Sequence, residues 1–253
     1  MASIVLSSLP FPNQSGDQLV SKVVTGAIAA LFKRTGKLEA TVRAEPVTKL
    51  LQGSLDSFDL IGHDLLMYNG LQIKAMEMYL QAVSIDFGAI FQGQVKLKQP
   101  TTANMRVVLS EEDLAKSFNT PFIIEKLEKL EYNQEKLKLQ NISIIFTPDN
   151  ALQITAQAIL GENKPPLELD ITAQLAAYER KKIHFTQVTY QGEAEAIELS
   201  KTVVEYINNL LDLEKFALDG IELKVDRLRL QNKQIIFYGM AQINHFPQRK
   251  KTN

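Results

Sequence analysis

The sequence predicts one α+β domain built on antiparallel sheet, on three observations. Apolar and polar residues alternate with period two over much of the chain, the mark of strands with one wet face and one apolar face. Two segments carry helical period instead, and no regular strand–helix–strand alternation connects the elements, which argues against a parallel doubly wound sheet. Several strands run to roughly ten residues, beyond the usual five or six. Long strands twist and coil, so they tend to wrap around something.

Taken in order, residues 17–33 carry the first helical pattern, with Leu19, Val20, Val23, Ala27, Ala30 and Leu31 at three- and four-residue spacing. Ser15, Gly16 and Asp17 offer caps, and Arg34 suits the negative end of the helix dipole. Strands are expected over 37–44, 57–67, 71–82, 93–98 and 105–109, then a short helical patch near 110–130. Further strands follow over 137–146, 152–160, 167–175 and 182–190. The clearest sets Leu152, Ile154, Ala156, Ala158 and Leu160 against Gln153, Thr155 and Gln157. A second helix is expected over 198–213, with Leu199, Val203, Ile207, Leu210 and Leu211 as its stripe and Lys201, Glu205 and Asn208 on a wetter face. Strands 221–230 and 234–243 complete the order. Turn residues sit between them at Asn69-Gly70, Pro148-Asp149-Asn150, Asn163 to Pro166 and Gln231-Asn232. Pro165-Pro166 is the one plausible linker, but the strand pattern resumes directly after it. The expected organisation is an irregular arm over 1–14, a single domain over 15–246 and a basic tail over 247–253.

Composition excludes several function classes. The 253 residues carry 28 Lys+Arg against 29 Asp+Glu, a net charge of −1 that argues against a dedicated nucleic-acid binder. A hydrophobic share of 45% with 23% charged residues is ordinary for a packed chain and rules out a disordered one. Without cysteine there is no disulfide, thiolate metal site, thiol nucleophile or cysteine-linked lipid. The most apolar stretch, Val23–Phe32, is far shorter than the about 20 residues of a membrane-spanning helix. No basic residue precedes Lys22, so it does not read as a secretory signal either. The expected location is the cytoplasm or its membrane surfaces. Phosphate loops, the G-x-S-x-G elbow and H-E-x-x-H are absent, and His63, His184 and His245 have no ligand spacing. No cofactor is implied. The densest acidic cluster, Ser110 to Asp113, reads as a helix capping box.

Met76 and Met78 share parity with Leu80 on one strand face, and methionine side chains adapt to ligands of varied shape. Near the end of the chain, Phe246 is followed by Arg249, Lys250 and Lys251, an apolar wedge beside a basic run suited to anionic lipid. Phe122, Ile123 and Ile124 form a second candidate wedge, which core packing explains equally well.

Gly53-Ser54-Leu55, then Gly62, Gly93-Gln94-Val95, Gln99-Pro100 and the run Arg106 to Leu114 follow one another in an order that resembles the LmeA-like family of phospholipid-binding proteins, common in actinobacteria and cyanobacteria. The strand leading into Ser110-Glu111-Glu112-Asp113-Leu114 is similar to that family's Leu-Thr-Glu-x-Asp-Leu turn, and the resemblance covers about residues 20 to 245. It implies a tubular lipid-binding fold like that of the bactericidal/permeability-increasing protein class. There a long, highly curved antiparallel β-sheet wraps long amphipathic helices and leaves an apolar groove for acyl chains. The partners so implied are a phospholipid or similar amphiphile and a membrane surface, with no nucleic acid, no cofactor and no catalytic residues. A cyanobacterial-type relative without a signal peptide would work against the plasma or thylakoid membrane. Met76, Met78, Ile154, Leu169, Ile171 and Ile207 are the expected groove lining, and Phe246, Arg249, Lys250 and Lys251 the expected docking residues. If the Ile171 face lines the groove, Ile171→Asp should abolish lipid uptake in protein that stays folded. Two other readings remain open: a closed-core scaffold that binds a protein partner, and an enzyme acting on a lipid.

Overall fold

The alternating segments pair into two antiparallel sheets, neither of them closed. The computed structural model describes residues 16–46, 48–90, 94–161, 165–215 and 217–245. The N-terminal arm and the basic tail, with Phe246, Arg249, Lys250 and Lys251, lie outside the described residues. The first sheet has six strands in the spatial order β1 (Lys37–Arg43), β2 (Ser54–Leu66), β3 (Gln72–Ser84), β4 (Thr101–Ser110), β11 (Gln234–Ile243) and β10 (Ile221–Gln231). The second has five, β5 (Glu131–Tyr132), β6 (Glu135–Phe146), β7 (Leu152–Leu160), β8 (Leu167–Tyr178) and β9 (Lys182–Gln191). The single long sheet expected from the sequence is thus two. Alternation marks a buried face in both alike and carries no sign of where one sheet stops. The division falls at Ser110, where β4 runs straight into helix α4 (Glu111–Phe118). The second sheet is built entirely between β4 and the β10–β11 hairpin, which returns to pair with β4.

Two helices cover the sheets. In α1 (Gly16–Ala29) and the turn after it, Val20, Val24, Ile28 and Phe32 are buried at four-residue spacing. Of the expected stripe, Val20 is buried, whereas Val23 and Ala27 are half-buried beside it and Ala30 is exposed. The helix also stops short of Lys33. Its Ser21 Oγ accepts the Val42 N–H at 2.9 Å, and its Thr25 Oγ1 accepts the Ala40 N–H at 3.0 Å. These hydroxyls satisfy two donors on the open side of edge strand β1, which would otherwise invite another chain. Helix α6 (Ala194–Leu210) buries Leu199, Val203 and Ile207 as the sequence predicts, but begins before Glu198 and ends before Leu213. Asn208, expected on the wet face, turns back to accept the Phe185 N–H of β9 at 2.8 Å.

The helical patch after β4 resolves into α4 and α5 (Pro121–Leu127). The capping box forms as expected: the Asp113 N–H donates to Ser110 Oγ at 3.1 Å and the Ser110 N–H to Asp113 Oδ2 at 3.3 Å. Helices α2 (Thr48–Gln52) and α3 (Phe87–Ile90) are too short to show a period, and the sequence reading missed them. The strand expected over 93–98 is absent from its described residues, where Leu97 makes only an isolated bridge to Ile85. Three register shifts, between Gln140 and Ser143, Thr172 and Gln174, and Val225 and Arg227, bend and twist the long strands. Tight turns at Asn133-Gln134, Glu179-Arg180 and Asn232-Lys233 have positive φ at both residues, the signature of type I′ hairpins.

One apolar cluster fills the space between α1 and the first sheet, and another lies beneath α6 on the second. Leu175 and Leu211 pack against both. The boundary between them does not fall at Pro165, since β7 and β8 on either side of it pair with each other. On α6 Ser200 is fully buried and its hydroxyl has no hydrogen-bond partner. A buried unpaired hydroxyl costs about 1–3 kcal/mol, so Ser200→Ala should raise stability by about 1 kcal/mol. The measurement is the denaturant midpoint at unchanged slope. A lowered midpoint would mean that the hydroxyl is satisfied in solution.

Candidate functional site

An apolar row crosses one face of the first sheet. Leu60 pairs with Met78, Met78 with Met105, Met105 with Gly239 and Gly239 with Val225. Beside it runs a second row, in which Met76 pairs with Val107 and Val107 with Phe237. Because side chains alternate along a strand, residues of the same parity follow onto this face, Leu109 on β4 and Ile221 and Leu223 on β10 among them. Above the face, α1 contributes Ile28 and, with its following turn, Leu31 and Phe32; α4 contributes Leu114 and Phe118. Ile183 of β9 and the Leu211–Leu213 segment close the space from the second sheet.

Together these residues line a cavity of about 320 Å³, within the roughly 300–1,000 Å³ span of small-molecule sites. Among the described residues no charged side chain lines it, and Gln72 and Ser117 are its polar members. Ser117 Oγ is already engaged: it donates to the Asp113 carbonyl at 2.7 Å and accepts the Gln72 N–H at 3.0 Å. Charge is held outside. Lys74, next to the lining residue Ile73, is exposed and pairs with Asp64 at 2.7 Å. That hydrogen bond keeps the Lys74 ammonium above its ordinary pKa and the Asp64 carboxyl below its own. On the opposite face of the sheet, Arg106 bonds Glu77 at 2.7 Å. Among the cavity's described lining residues none is ionisable. What it can do is replace water around a hydrocarbon chain, at about 0.8 kcal/mol per buried methylene.

Met67, Met76, Met78 and Met105, four of the chain's six methionines, sit on the lining. Unbranched thioether side chains repack around differing ligands more readily than branched ones. Met76 and Met78 were expected there from the sequence. The other expected residues, Ile154, Leu169, Ile171 and Ile207, are brought together elsewhere, around a void of about 20 Å³ beneath α6. That is room for about one water molecule. Sequence reasoning missed Met67, at the end of its strand, and Met105, although Met105 shares parity with Val107 and Leu109. It also missed Ile28 and Phe32, which the expected helical stripe left out although it held their lining neighbour Leu31. Of the second candidate wedge, Ile123 is buried and lines the cavity, whereas Phe122 carries the Lys126 ammonium 4.8 Å above its ring.

Among the described residues no helix is long and apolar enough to cross a membrane. Comparison with curated proteins gives no match, and comparison with solved structures gives none. The LmeA-like phospholipid-binding family, in contrast, matches residues 14–240, a span that takes in α1, the second sheet, α6 and nearly all of the first sheet. The chain belongs to the LmeA-like phospholipid-binding family.

Proposed function

We propose that the protein binds a phospholipid or similar amphiphile, without catalysing a reaction on it, by taking acyl chain into the cavity of the first sheet. The observation that carries this reading is the uncharged, methionine-rich wall of a cavity of about 320 Å³. In this reading the bulged strands and the two covering helices act as a curved sleeve, the tubular arrangement that the resemblance implies. Delivery of lipid between membranes requires contact with a bilayer. Phe246 with Arg249, Lys250 and Lys251 is suited to that by sequence, at about 1 kcal/mol per basic residue on an anionic surface. A cytoplasmic location, peripheral to the plasma or thylakoid membrane, is proposed on the sequence alone.

The test is native mass spectrometry of the purified chain before and after incubation with anionic phospholipid vesicles. A mass increment of phospholipid size that denaturation releases supports the reading; protein that stays ligand-free at every lipid concentration overturns it. Truncation of residues 249–253 should weaken association with anionic vesicles at low salt and leave bound lipid unchanged. Equal vesicle binding by the truncated chain would move the docking role elsewhere.

A further inference from the structure

The large cavity and the small void beneath α6 share a wall, and we propose that Phe118 is that wall and sets the longest acyl chain the site accepts. The assignment rests on the lipid-binding reading above. Phe118 lines both spaces. It is the last residue of α4, the helix that carries the chain from the first sheet to the second and packs against β3 on one side and β6 on the other. Leu114, one turn earlier on the same helix face, lines only the large cavity, as does Ile123 of α5. Leu127, one turn beyond Ile123, lines only the void. The division therefore runs through the corner between α4 and α5, at the Phe118 ring.

Past that ring an acyl end would meet nothing polar. The void is walled by Ile154, Leu169, Ile171, Val203 and Ile207, among others, all apolar. At about 20 Å³ it accepts no more than a water-sized group while the ring is in place.

The ring stands on a helix fixed at both ends. The capping box holds the first turn. At the other end, Asn119 Nδ2 donates to the Ala115 carbonyl at 2.8 Å and Thr120 Oγ1 to the Ser117 carbonyl at 2.7 Å. The β2–β3 turn closes on this corner: Gly70 has φ +90°, and a Cβ there would come within 2.7 Å of Thr120 Cγ2. A ring carried on a helix held this way is placed to stop the chain end.

Removing the stop joins the two spaces, and each methylene that the parent would leave in water and the variant buries then shifts the distribution towards longer chains by about fourfold relative to the parent. The experiment compares the parent with Phe118→Ala, Phe118→Leu and Phe118→Trp, each loaded from vesicles of phosphatidylglycerol with mixed acyl lengths. Bound lipid is extracted and its chain lengths read by mass spectrometry, with circular dichroism as the check on folding. Phe118→Ala and Phe118→Leu should shift the bound population to longer chains, and Phe118→Trp to shorter ones. Adding Ala156→Val to Phe118→Ala, which refills the void, should return the distribution towards the parent's. If Phe118→Ala does not fold, the leucine and tryptophan variants decide the matter by their opposite shifts. Identical distributions in the parent and all folded variants would overturn the role of Phe118 and leave lipid binding standing, as would a lengthening that Ala156→Val fails to reverse. A parent that takes up no lipid would overturn the functional reading itself.

Discussion

Gly239→Ala is expected to leave little folded protein. Gly239 lies in the row of cavity-facing positions between Met105 and Val225, where β10 is bulged between Val225 and Arg227. The bulge carries the backbone of β10 across β11 so closely that a Cβ at position 239 would lie 2.0 Å from the Lys224 carbonyl oxygen and 3.0 Å from Val225 Cα. A flexible side-chain tip could swing away from such a contact; a strand backbone cannot. Accommodating one methyl group means expelling the bulge, and with it the register that seats β11 on β4. Overpacking alone costs up to about 3 kcal/mol, and lost pairing adds to that, against a total stability of roughly 5–15 kcal/mol. Soluble yield and the denaturant midpoint give the measurement, with Gly26→Ala as control. Gly26 sits on the exposed side of α1 with nothing within 4 Å of its added Cβ, so that variant should gain up to about 1 kcal/mol from helix propensity. A Gly239→Ala protein within about 1 kcal/mol of the parent would show that the strands can separate.

A carboxylate placed at Ile171 should cost the fold, and one placed at Met76 should cost the ligand. Ile171 is 1% exposed in the cluster under α6, beside a void too small to hydrate a charge. Ile171→Asp forfeits about 1.5–3 kcal/mol of apolar burial and adds the several kcal/mol penalty of an unpaired buried ion. Together these approach the whole stability of a domain. The loss should shrink as pH falls and the buried carboxyl, its pKa raised above the free value of about 3.9, takes up a proton. Met76 instead borders the large cavity and is only partly buried, so Met76→Asp has space for water around its charge. It should fold, with a midpoint near the parent's, yet hold at least about tenfold less lipid, since each 1.4 kcal/mol of lost affinity is a factor of ten. Circular dichroism and native mass spectrometry on both proteins separate the outcomes. Folded, lipid-free Ile171→Asp would put the void inside the binding site after all.

The contrast between these two positions shows what the sequence could and could not convey. Alternation identified the buried face of β7, where every second residue from Leu152 to Leu160 is buried, because period and face are local properties of a strand. It could not say which apolar face borders empty space, since Ile171 and Met78 both obey the alternation of their own strands. That difference arises from which elements, distant in sequence, pack over each face, which no local pattern encodes. Helix ends were misjudged for a related reason. At α6 the N-cap, Glu193, makes no side-chain capping bond, so the start carries no signal, whereas the Ser110 cap of α4 was legible at once. On β4, Ala103 is fully buried, but a small residue between Thr102 and Asn104 carries too little hydrophobic contrast to extend the strand expected over 105–109. The Arg106–Leu114 run stood out because strand, cap and helix follow one another there without a linker.

The nesting of one sheet inside the sequence of the other sets a timetable for biosynthesis. Ser110, at the end of β4, pairs with Gln234, more than a hundred residues further along the chain. At about 5–20 residues per second on a ribosome, β4 waits on the order of ten seconds for its partner. Throughout that interval its outer edge has no partner strand. Meanwhile α4 to α6 and the whole second sheet have emerged and can assemble from neighbours in sequence. The last hairpin is thus what covers the first sheet's β4 edge, and a chain without it keeps that edge open.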